Sequence, residues 1–540
     1  MTTVSEKADI IVKSNVLFDG VTDPKPGALA ISGNKILALG EAKDVENLIG
    51  GDTKIYEFKD QLVMPGFHDS HVHVIFSGLY EICVNLKNTK SEEEAAKLVG
   101  EFAKKTPNTH WVLGFSWFPG FWESGKMPTR DSLDRYISDR PVFLLNYEGH
   151  SCWVNSKALE VCHINENTED PAGGKVLRDE SGQPTGVLLE GAMSLVSEAL
   201  ALSHSQQEKI LKKLLSKAAS CGVTSIRDMQ LFLGQDFGDL SVYNKLEENG
   251  ELTARLHAYP GLDGNLEKVL SLREKYNSDK IKVSGLKQFL DGVPATYTAF
   301  LCEPYSDKPQ TRGKPAIDPD YLKELVVNAD KENFAVSLHA CGDGAVRMGL
   351  DAIETARKAN GKKDTRHSIE HIEVIHPEDI KRFAELGVVA SMQPEHIISD
   401  KFFKNHPYPS RLGPKRIRYT WAFRTLLKHN VKIVFGSDCP VVDLNPMPGI
   451  FRAVTRVHDD GEPKGGWNPE EKLSVKEALH AYTAEPAYVV KREHELGVLR
   501  PGNFADIIAL DKNLFNIPVQ EIPKTKVILT IMDGRVVFED

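Results

Sequence analysis

Both ends of the chain alternate apolar and polar positions over short runs. The first runs lie at residues 9–12, 16–20, 28–31 and 35–40. Ser32, Gly33 and Asn34 separate the last two runs and predict a hairpin. Residues 505–511, 526–532 and 535–538 repeat the pattern. Neither end is long enough to enclose a good core, so we predict that residues 1–62 and 495–540 form one small β-sandwich domain together.

The middle of the chain has a different rhythm, because short apolar runs alternate there with helical stretches such as 319–332 and 344–359. A first strand, at 62–64, runs into the polar segment that ends at residue 73. Seven more are predicted at 223–228, 254–259, 281–289, 335–340, 366–372, 388–392 and 431–436. Eight strand–helix units predict an α/β fold, a (β/α)8 TIM barrel over residues 63–494. An open doubly wound sheet is the alternative, but no Gly-x-Gly-x-x-Gly fingerprint follows the first strand.

Residues 85–205 interrupt this rhythm with Gly/Pro-rich turns and four tryptophans, Trp111, Trp117, Trp122 and Trp153. We interpret them as a subdomain inserted after the first strand of the barrel. Because functional loops follow the carboxyl ends of barrel strands, we expect the insertion to cover the mouth of an active site.

Composition narrows the class of partner. The net charge of a 540-residue chain is −10, with no block of basic residues, which argues against binding to a nucleic acid backbone. No apolar run approaches the length that spans a membrane, and the amino terminus lacks the pattern of a secretory signal. Seven scattered cysteines without a Cys-x-x-Cys pair are typical of reduced thiols in the cytoplasm. We therefore expect a cytoplasmic protein with a small-molecule substrate.

His71 and His73 are the first candidates for chemistry. Residues i and i+2 of a strand point to the same side, so the two imidazoles lie next to each other. Such a pair can bind a transition metal, whereas the alternative is two surface histidines near a turn.

Four more polar residues lie at or just after the carboxyl ends of predicted strands, where barrel enzymes place catalytic groups. They are Lys287, His339, His371 and Asp438. Any one of them could be a structural residue. Together with His71 and His73, in this order along the strands, they are hard to explain as packing.

Four segments of the chain resemble a known family. They are 64–73 (Met-Pro-Gly-Phe-His-Asp-Ser-His-Val-His), 150–159 (His-Ser-Cys-Trp-Val-Asn-Ser-Lys-Ala-Leu), 287–292 (Lys-Gln-Phe-Leu-Asp-Gly) and 497–506 (Gly-Val-Leu-Arg-Pro-Gly-Asn-Phe-Ala-Asp). With these segments the chain resembles the amidohydrolase superfamily, and within it the YtcJ-like branch, amidohydrolase family 3. N-substituted formamide deformylases belong to that branch.

The resemblance implies a bound divalent metal, commonly zinc, as one ion or two. Transferred by position, His71 and His73 hold one ion beside Asp438. His339 and His371 hold a second. Lys287 stands where the family has a lysine that CO2 converts to a carbamate bridging two ions. An ammonium group cannot lie between two cations, whereas a carbamate offers anionic oxygen ligands. The alternative is an ammonium group paired with Asp291 and facing a single ion.

The implied reaction is hydrolysis of a C–N bond in an amide, N-acyl or N-formyl compound. The metal activates water and polarises the carbonyl, and Asp438 acts as general base and then as general acid. The sequence contains no Gly-x-Ser-x-Gly motif, which argues against a serine hydrolase. Three alternatives within the superfamily stay open: a deaminase, a cyclic-amide or ester hydrolase, and a catalytically silent regulatory member.

Substrate contacts are predicted from the loops and strand ends near the mouth. The candidates are Trp117, His150, Asp228, Asp291, Gln393 and His396. Buried aromatic residues and helix caps are the competing interpretations. Asp69, Glu370 and Glu373 flank predicted ligands and could orient them. Enzymes of this class commonly form symmetric dimers, so a homodimer is also open.

Overall fold

A computed structural model describes residues 7–107, 109–147, 149, 151–171, 174–232, 235–398 and 403–540. The chain forms two compact units. The first comprises Met1–Val74, Leu215–Leu231 and Tyr243–Asp540, and the second comprises Ile75–Leu214 and Phe232–Val242. The insertion predicted at 85–205 falls within the second unit, and the domain boundaries that we derived from the sequence stay predictions.

The first unit contains a seven-stranded sheet built from both ends of the chain. Its strands, from one edge to the other, are Arg535–Glu539, Val527–Met532, Ile507–Leu510, Lys54–Pro65, Ile10–Leu17, Lys25–Ser32 and Lys35–Gly40. Lys54–Pro65 joins the two ends, since it pairs with Ile10–Leu17 on one side and with Ile507–Leu510 on the other. Apolar side chains of Val12, Val63 and Ile507 pack in one cluster. Hydrophobic burial therefore stabilises the two ends jointly.

One expectation about this sheet was wrong. Residues 9–12 and 16–20 were predicted as separate strands, but Ile10–Leu17 is continuous, with an irregular register after Ser14. The Ser14 hydroxyl donates to the carbonyl of Gln61 and accepts from the amide of Val16. These side-chain bonds replace ladder bonds at the irregularity, so the strand bends without ending.

Among the described residues of the first unit, nine parallel strands, β1 to β9, form two further sheets. They are β1 Phe67–Val72, β2 Val223–Met229, β3 Arg255–Tyr259, β4 Ile281–Val283, β5 Gly285–Phe289, β6 Ala335–Ala340, β7 Ser368–His371, β8 Val389–Met392 and β9 Ile433–Phe435. One sheet has the order β4-β3-β2-β1, and the other runs from β5 to β9. Two single parallel bridges connect these sheets: Gly261, which follows β3, pairs with Lys287 of β5, and Val72 of β1 pairs with Cys439, which follows β9. The α/β class is confirmed, and the described strands form two sheets joined by these single bridges, without a continuous closed ladder.

The predicted strand 281–289 divides into β4 and β5. Ser284 between them donates its amide to the carbonyl of Ala258, and Lys287 donates to that of Pro260. A side chain at position 285 would place its Cβ 2.2 Å from the ring of Tyr259, so only glycine fits there. The backbone therefore approaches Tyr259 closely at the interruption between β4 and β5, and a run of apolar residues does not reveal it.

Helices connect the strands. The α-helices are Ala42–Val45, Val74–Tyr80, Glu92–Lys105, Arg130–Asp134, Ser156–Val161, His204–Ser220, Leu240–Glu248, Leu266–Lys275, Pro319–Lys331, Asp343–Asn360, Ile380–Leu386, Tyr408–Arg416, Phe423–Lys428, Pro446–Thr455, Val475–Ala481 and Ala484–Val489. Asp318 begins Pro319–Lys331 by accepting the amides of Asp320 and Tyr321. Among the described residues, no helix has both the length and the apolar character needed to cross a membrane.

The second unit contains a six-stranded mixed sheet. Its order is Gly174–Arg178, Pro184–Glu190, Ser151–Val154, Val142–Asn146, Val112–Trp117 and Val84–Asn85. Its core includes three tryptophans, and Trp117 lies 6.1 Å from Trp122 and 6.0 Å from Trp153 between ring centroids. Aromatic burial of this size is sufficient for a core of its own.

Candidate metal centre

The six predicted metal ligands lie at the carboxyl ends of the parallel strands. His71, Lys287, His339 and His371 belong to β1, β5, β6 and β7, while His73 follows β1 and Asp438 follows β9. The carboxyl ends of parallel strands meet at one edge, which brings residues distant in sequence together.

His71, His73 and Asp438 form the tightest group. Nε2 of His71 and Nε2 of His73 each lie 3.4 Å from Oδ1 of Asp438. Ligand atoms about 2.0–2.1 Å from a tetrahedral zinc ion lie about 3.4 Å apart. Two nitrogens and one oxygen are also a common donor set for a divalent metal. These residues therefore fit the metal that the sequence implies.

Glu370 orients the first of these histidines. Nδ1 of His71 lies 2.7 Å from Oε2 of Glu370, and both side chains are fully buried. Ser368 donates to the same carboxylate at 2.6 Å, and Arg227 lies 3.5 Å from it. A proton on Nδ1 leaves the lone pair of Nε2 directed at Asp438, which is the tautomer that a metal ligand needs.

Nδ1 of His371 also faces a side-chain oxygen, which here belongs to an amide instead of a carboxylate. Its Nδ1 lies 2.8 Å from Oε1 of Gln393, while its buried Nε2 has no hydrogen-bond partner among the described residues. The ring centroids of His339 and His71 lie 4.4 Å and 4.8 Å from that of His371. The open nitrogen of His371 thus lies among the other imidazoles.

The backbone is strained at two of these positions. φ is +72° at His371 and +60° at Asp438. Residues other than glycine rarely adopt this left-handed region, and such strain is common at functional sites. Asp69 supports the backbone there, since its Oδ1 accepts the amides of His71 and Ser437. It stabilises the segments that present the ligands.

Lys287 is fully buried, with Nζ 3.3 Å from Nε2 of His71. Burial lowers the pKa of its amine to about 8, against the opposing effect of Glu370 and Asp438. For Asp438, burial raises the pKa, but His71 and His73 outweigh it and hold that pKa below its usual range. The centre therefore combines an ionised carboxylate with an amine whose pKa burial lowers.

Two predicted substrate contacts are occupied by hydrogen bonds within the protein. Asp228 accepts from the amide of Val74 at 3.0 Å and from the hydroxyl of Tyr243 at 2.9 Å. Asp291 accepts backbone amides of the loops that follow β5 and β6, namely those of Phe300, Cys341 and Gly342. Both carboxylates therefore stabilise loops, and neither faces open space.

The other four substrate candidates lie in different settings. Gln393 binds His371, and Nε2 of His396 lies 3.8 Å from Oδ2 of Asp438. Trp117 is fully buried in the core of the second unit, and its indole donates to the carbonyl of Leu144, so it is a core residue there. His150 lies outside the described residues.

A family model for the amidohydrolase family, Amidohydro_3, matches residues 55–538. The chain belongs to the amidohydrolase family. This confirms the resemblance that the four segments carry.

Relatives extend over nearly the whole chain. Protein LONG AFTER FAR-RED 3 of Arabidopsis thaliana is 31% identical over 98% of this chain and 92% of its own length. The putative amidohydrolase YtcJ of Bacillus subtilis is 30% identical, covering 90% and 91%. The N-substituted formamide deformylase of Arthrobacter pascens is 24% identical over 98% of each chain. The last two relatives agree with the YtcJ-like branch.

The chain is also similar to a solved structure, an uncharacterized metal-dependent hydrolase from Pyrococcus horikoshii. The identity is 26%, the TM-score is 0.78, and the match covers 95% of this chain and 99% of the other. The amidohydrolase fold of this chain is thus shared with a hydrolase described as metal-dependent.

The sequence had not singled out some residues of this amidohydrolase centre. Arg227 and Ser337 are buried beneath the ligands, and Ser337 donates to Glu370. Sγ of Cys341 lies 3.6 Å from Nε2 of His339. A usable signal is the polar alternation Ser337-x-His339 and Ser368-x-Glu370, which places polar groups on one face of strands that are otherwise apolar.

Proposed function

We propose that the protein is a metal-dependent amidohydrolase that hydrolyses a C–N bond of a small-molecule amide, of the N-acyl or N-formyl type. The observation that carries this proposal is the convergence of His71 and His73 on one oxygen of Asp438, at 3.4 Å each. The similarity to an N-substituted formamide deformylase supports the type of bond.

We also infer that the parallel strands close into a (β/α)8 barrel, in which β4 and β5 together make one interrupted strand. Support comes from the single bridges that connect β3 with β5 and β9 with β1. Closure would surround the ligands with strand ends on every side, as in other barrel enzymes. A cytoplasmic location and a homodimer stay proposals, and the seven free cysteines support the first.

His71, His73 and Asp438 would hold one divalent ion, which we propose to be zinc, and His339 and His371 would hold a second. Such a metal supplies Lewis acidity and activates water. Lys287 would bridge as a carbamate. Its neutral amine forms a N–C bond with CO2 and releases one proton, and burial favours that neutral form.

Asp438 has the central role in moving the proton. As an ionised carboxylate it accepts a proton from the attacking water while the C–O bond forms. It then donates this proton to the nitrogen that leaves when the C–N bond breaks. His71 and His73 lie against the same carboxylate and keep its pKa low enough for it to start the cycle ionised.

The test combines metal analysis with turnover. We expect purified protein to contain zinc or another divalent metal, and to release an amine from at least one member of a panel of N-formyl and N-acyl amides. Asp438→Asn should lower turnover by about 10³-fold, within the range of lost general acid–base catalysis.

Asp330→Asn is the matched control, because Asp330 is also a buried carboxylate but binds Thr365 and Asn360 instead of the predicted ligands. It should leave turnover unchanged. Activity in thoroughly chelated, metal-free protein would contradict the proposal. Release of ammonia from aminated heterocycles, without amide cleavage, would replace it with a deaminase.

A further inference from the structure

The two oxygens of Asp438 face different pairs of histidines. Oδ1 faces His71 and His73, whereas Oδ2 lies 3.8 Å from Nε2 of His396 and 3.9 Å from Nδ1 of His371. The ring centroids of His371 and His396 are 6.0 Å apart, and those of His71 and His73 are 5.6 Å apart. Asp438 therefore lies between two histidine pairs of similar spacing.

His396 is held from its far side. Its Nδ1 lies 3.6 Å from Oε1 of Glu373, and the hydroxyl of Tyr408 donates to the other oxygen of that carboxylate. Nε2 is buried and has no hydrogen-bond partner among the described residues, and the side chain is only 10% exposed. A buried nitrogen without a partner costs about 1–3 kcal/mol, so this position calls for a ligand.

Three histidines of the centre share this arrangement. In His71, His371 and His396, Nδ1 faces Glu370, Gln393 and Glu373 respectively. Nε2 faces Asp438 in His71 and His396. In His371 the nitrogen near Asp438 is Nδ1, and Nε2 has no hydrogen-bond partner among the described residues. An oxygen acceptor behind one nitrogen is the usual companion of a histidine whose other nitrogen binds a metal. His396 therefore has the surroundings of a ligand, although its position in the sequence indicated only a substrate contact.

We propose that His396 is a further ligand of the second divalent ion, at a subsite that it forms with His339, His371 and Oδ2 of Asp438. Ligand atoms of His371, His396 and Asp438 lie within 4.8 Å of one another. Glu373 is then a positioning residue for His396. The inference rests on the proposed function, because both subsites share Asp438 as a bridging carboxylate.

Metal titration of the chelated, full-length protein tests the subsite. We expect wild type to bind about two equivalents of Zn²⁺, as in other two-metal hydrolases. His396→Asn should weaken the second equivalent by about 100-fold and leave the first unchanged, since even orienting residues alter metal affinity by 10- to 100-fold. His406→Asn is the control, because His406 is a buried histidine that faces the carbonyl of Ile397; it should bind like wild type.

The outcomes separate the two proposals. If His396→Asn binds both ions as wild type does, or if wild type binds a single ion that His396→Asn retains, the subsite is overturned while the proposed function stands. If wild type binds no metal, the proposed function fails with it.

A second variant gives a spectroscopic signature independent of affinity and activity. In His396→Cys loaded with Co²⁺, a thiolate at position 396 should add sulfur-to-cobalt charge-transfer absorption beyond that of wild type. His406→Cys should add none. Circular dichroism verifies folding of each variant. A folded, cobalt-loaded His396→Cys protein with the wild-type spectrum would overturn the assignment.

Discussion

Two fully buried side chains, His71 of the first unit and Trp117 of the second, have opposite surroundings. The single donor of Trp117 reaches the carbonyl of Leu144, and its ring packs against other tryptophans. Both nitrogens of His71 face charged groups, Glu370 on one side and Asp438 with Lys287 on the other. The two side chains are therefore equally buried, and only their partners distinguish a core residue from a residue of a functional centre.

The difference has an energetic side. Apolar burial in the second unit stabilises the fold directly. Buried charges such as those of Arg227 and Glu370 lose the free energy of hydration, and their attraction to each other compensates for only part of that loss. Proteins tolerate such arrangements where function requires them. The variants below probe this difference.

The largest expected effect is in Glu370→Gln. Loss of this carboxylate leaves the guanidinium of Arg227 without its charge partner and weakens the orientation of His71. We expect the free energy of unfolding to fall by about 3–5 kcal/mol and metal affinity to fall by about 10- to 100-fold. Urea denaturation and metal titration measure the two effects.

Glu354→Gln is the control for charge removal, since Glu354 pairs with Arg382 at a partly exposed site. It should cost less than about 1 kcal/mol and leave metal affinity unchanged. Unaltered metal affinity in Glu370→Gln would show that Glu370 only balances charge.

Trp117→Phe should act on stability alone. The phenyl ring fills less of the core and leaves the carbonyl of Leu144 without its donor. We expect the second unit to lose about 1–3 kcal/mol of stability. Metal content and turnover per folded molecule should match wild type. A change in KM with unchanged stability would instead restore the predicted contact between Trp117 and substrate.

The smallest effect concerns pH and a buried carboxylate away from the predicted ligands. Burial raises the pKa of Asp330, but hydrogen bonds with His367, Asn360 and Thr365 outweigh it and lower the pKa to about 2. Because the folded pKa lies below the unfolded one, the stabilisation is present above about pH 4 and disappears as the pH falls towards 2.

Asp330→Asn should therefore be less stable than wild type by about 1 kcal/mol near neutral pH, and this difference should shrink between pH 4 and 2. Urea midpoints at several pH values measure it. A difference that is constant with pH would mean that the lost contacts of Asp330 do not depend on its charge.

Most strands of the first unit could be predicted closely, because each run of apolar residues reports a local property. The prediction at 62–64 was wrong, since that run belongs to Lys54–Pro65 of the seven-stranded sheet and the first parallel strand is Phe67–Val72. The run at 335–340 is β6, and 223–228 differs from β2 by one residue. The strand predicted at 281–289 divides at Ser284, next to the close contact of Gly285 with Tyr259. A local pattern does not contain that contact.

The sequence alone could not predict the hydrogen-bond partners of the predicted ligands. Glu370 is 299 positions from His71, and Asp291 binds amides about 50 positions away. Strand ends carry Asp228, Asp291 and Gln393 as well as the predicted ligands. Position along the chain therefore does not show whether such a residue binds metal, contacts substrate or stabilises the protein. Hydrogen bonds formed after folding show which groups of the protein each of them binds.

The sequence by itself determined the order of strands and helices, the family, and the residue types that can bind a metal, because these depend on local periodicity and on motifs of neighbouring residues. Only the tertiary structure decided which nitrogen of each histidine is open, which carboxylates are occupied, and that His396 faces Asp438. Those properties depend on distances between segments hundreds of residues apart, and packing of the strands sets these distances.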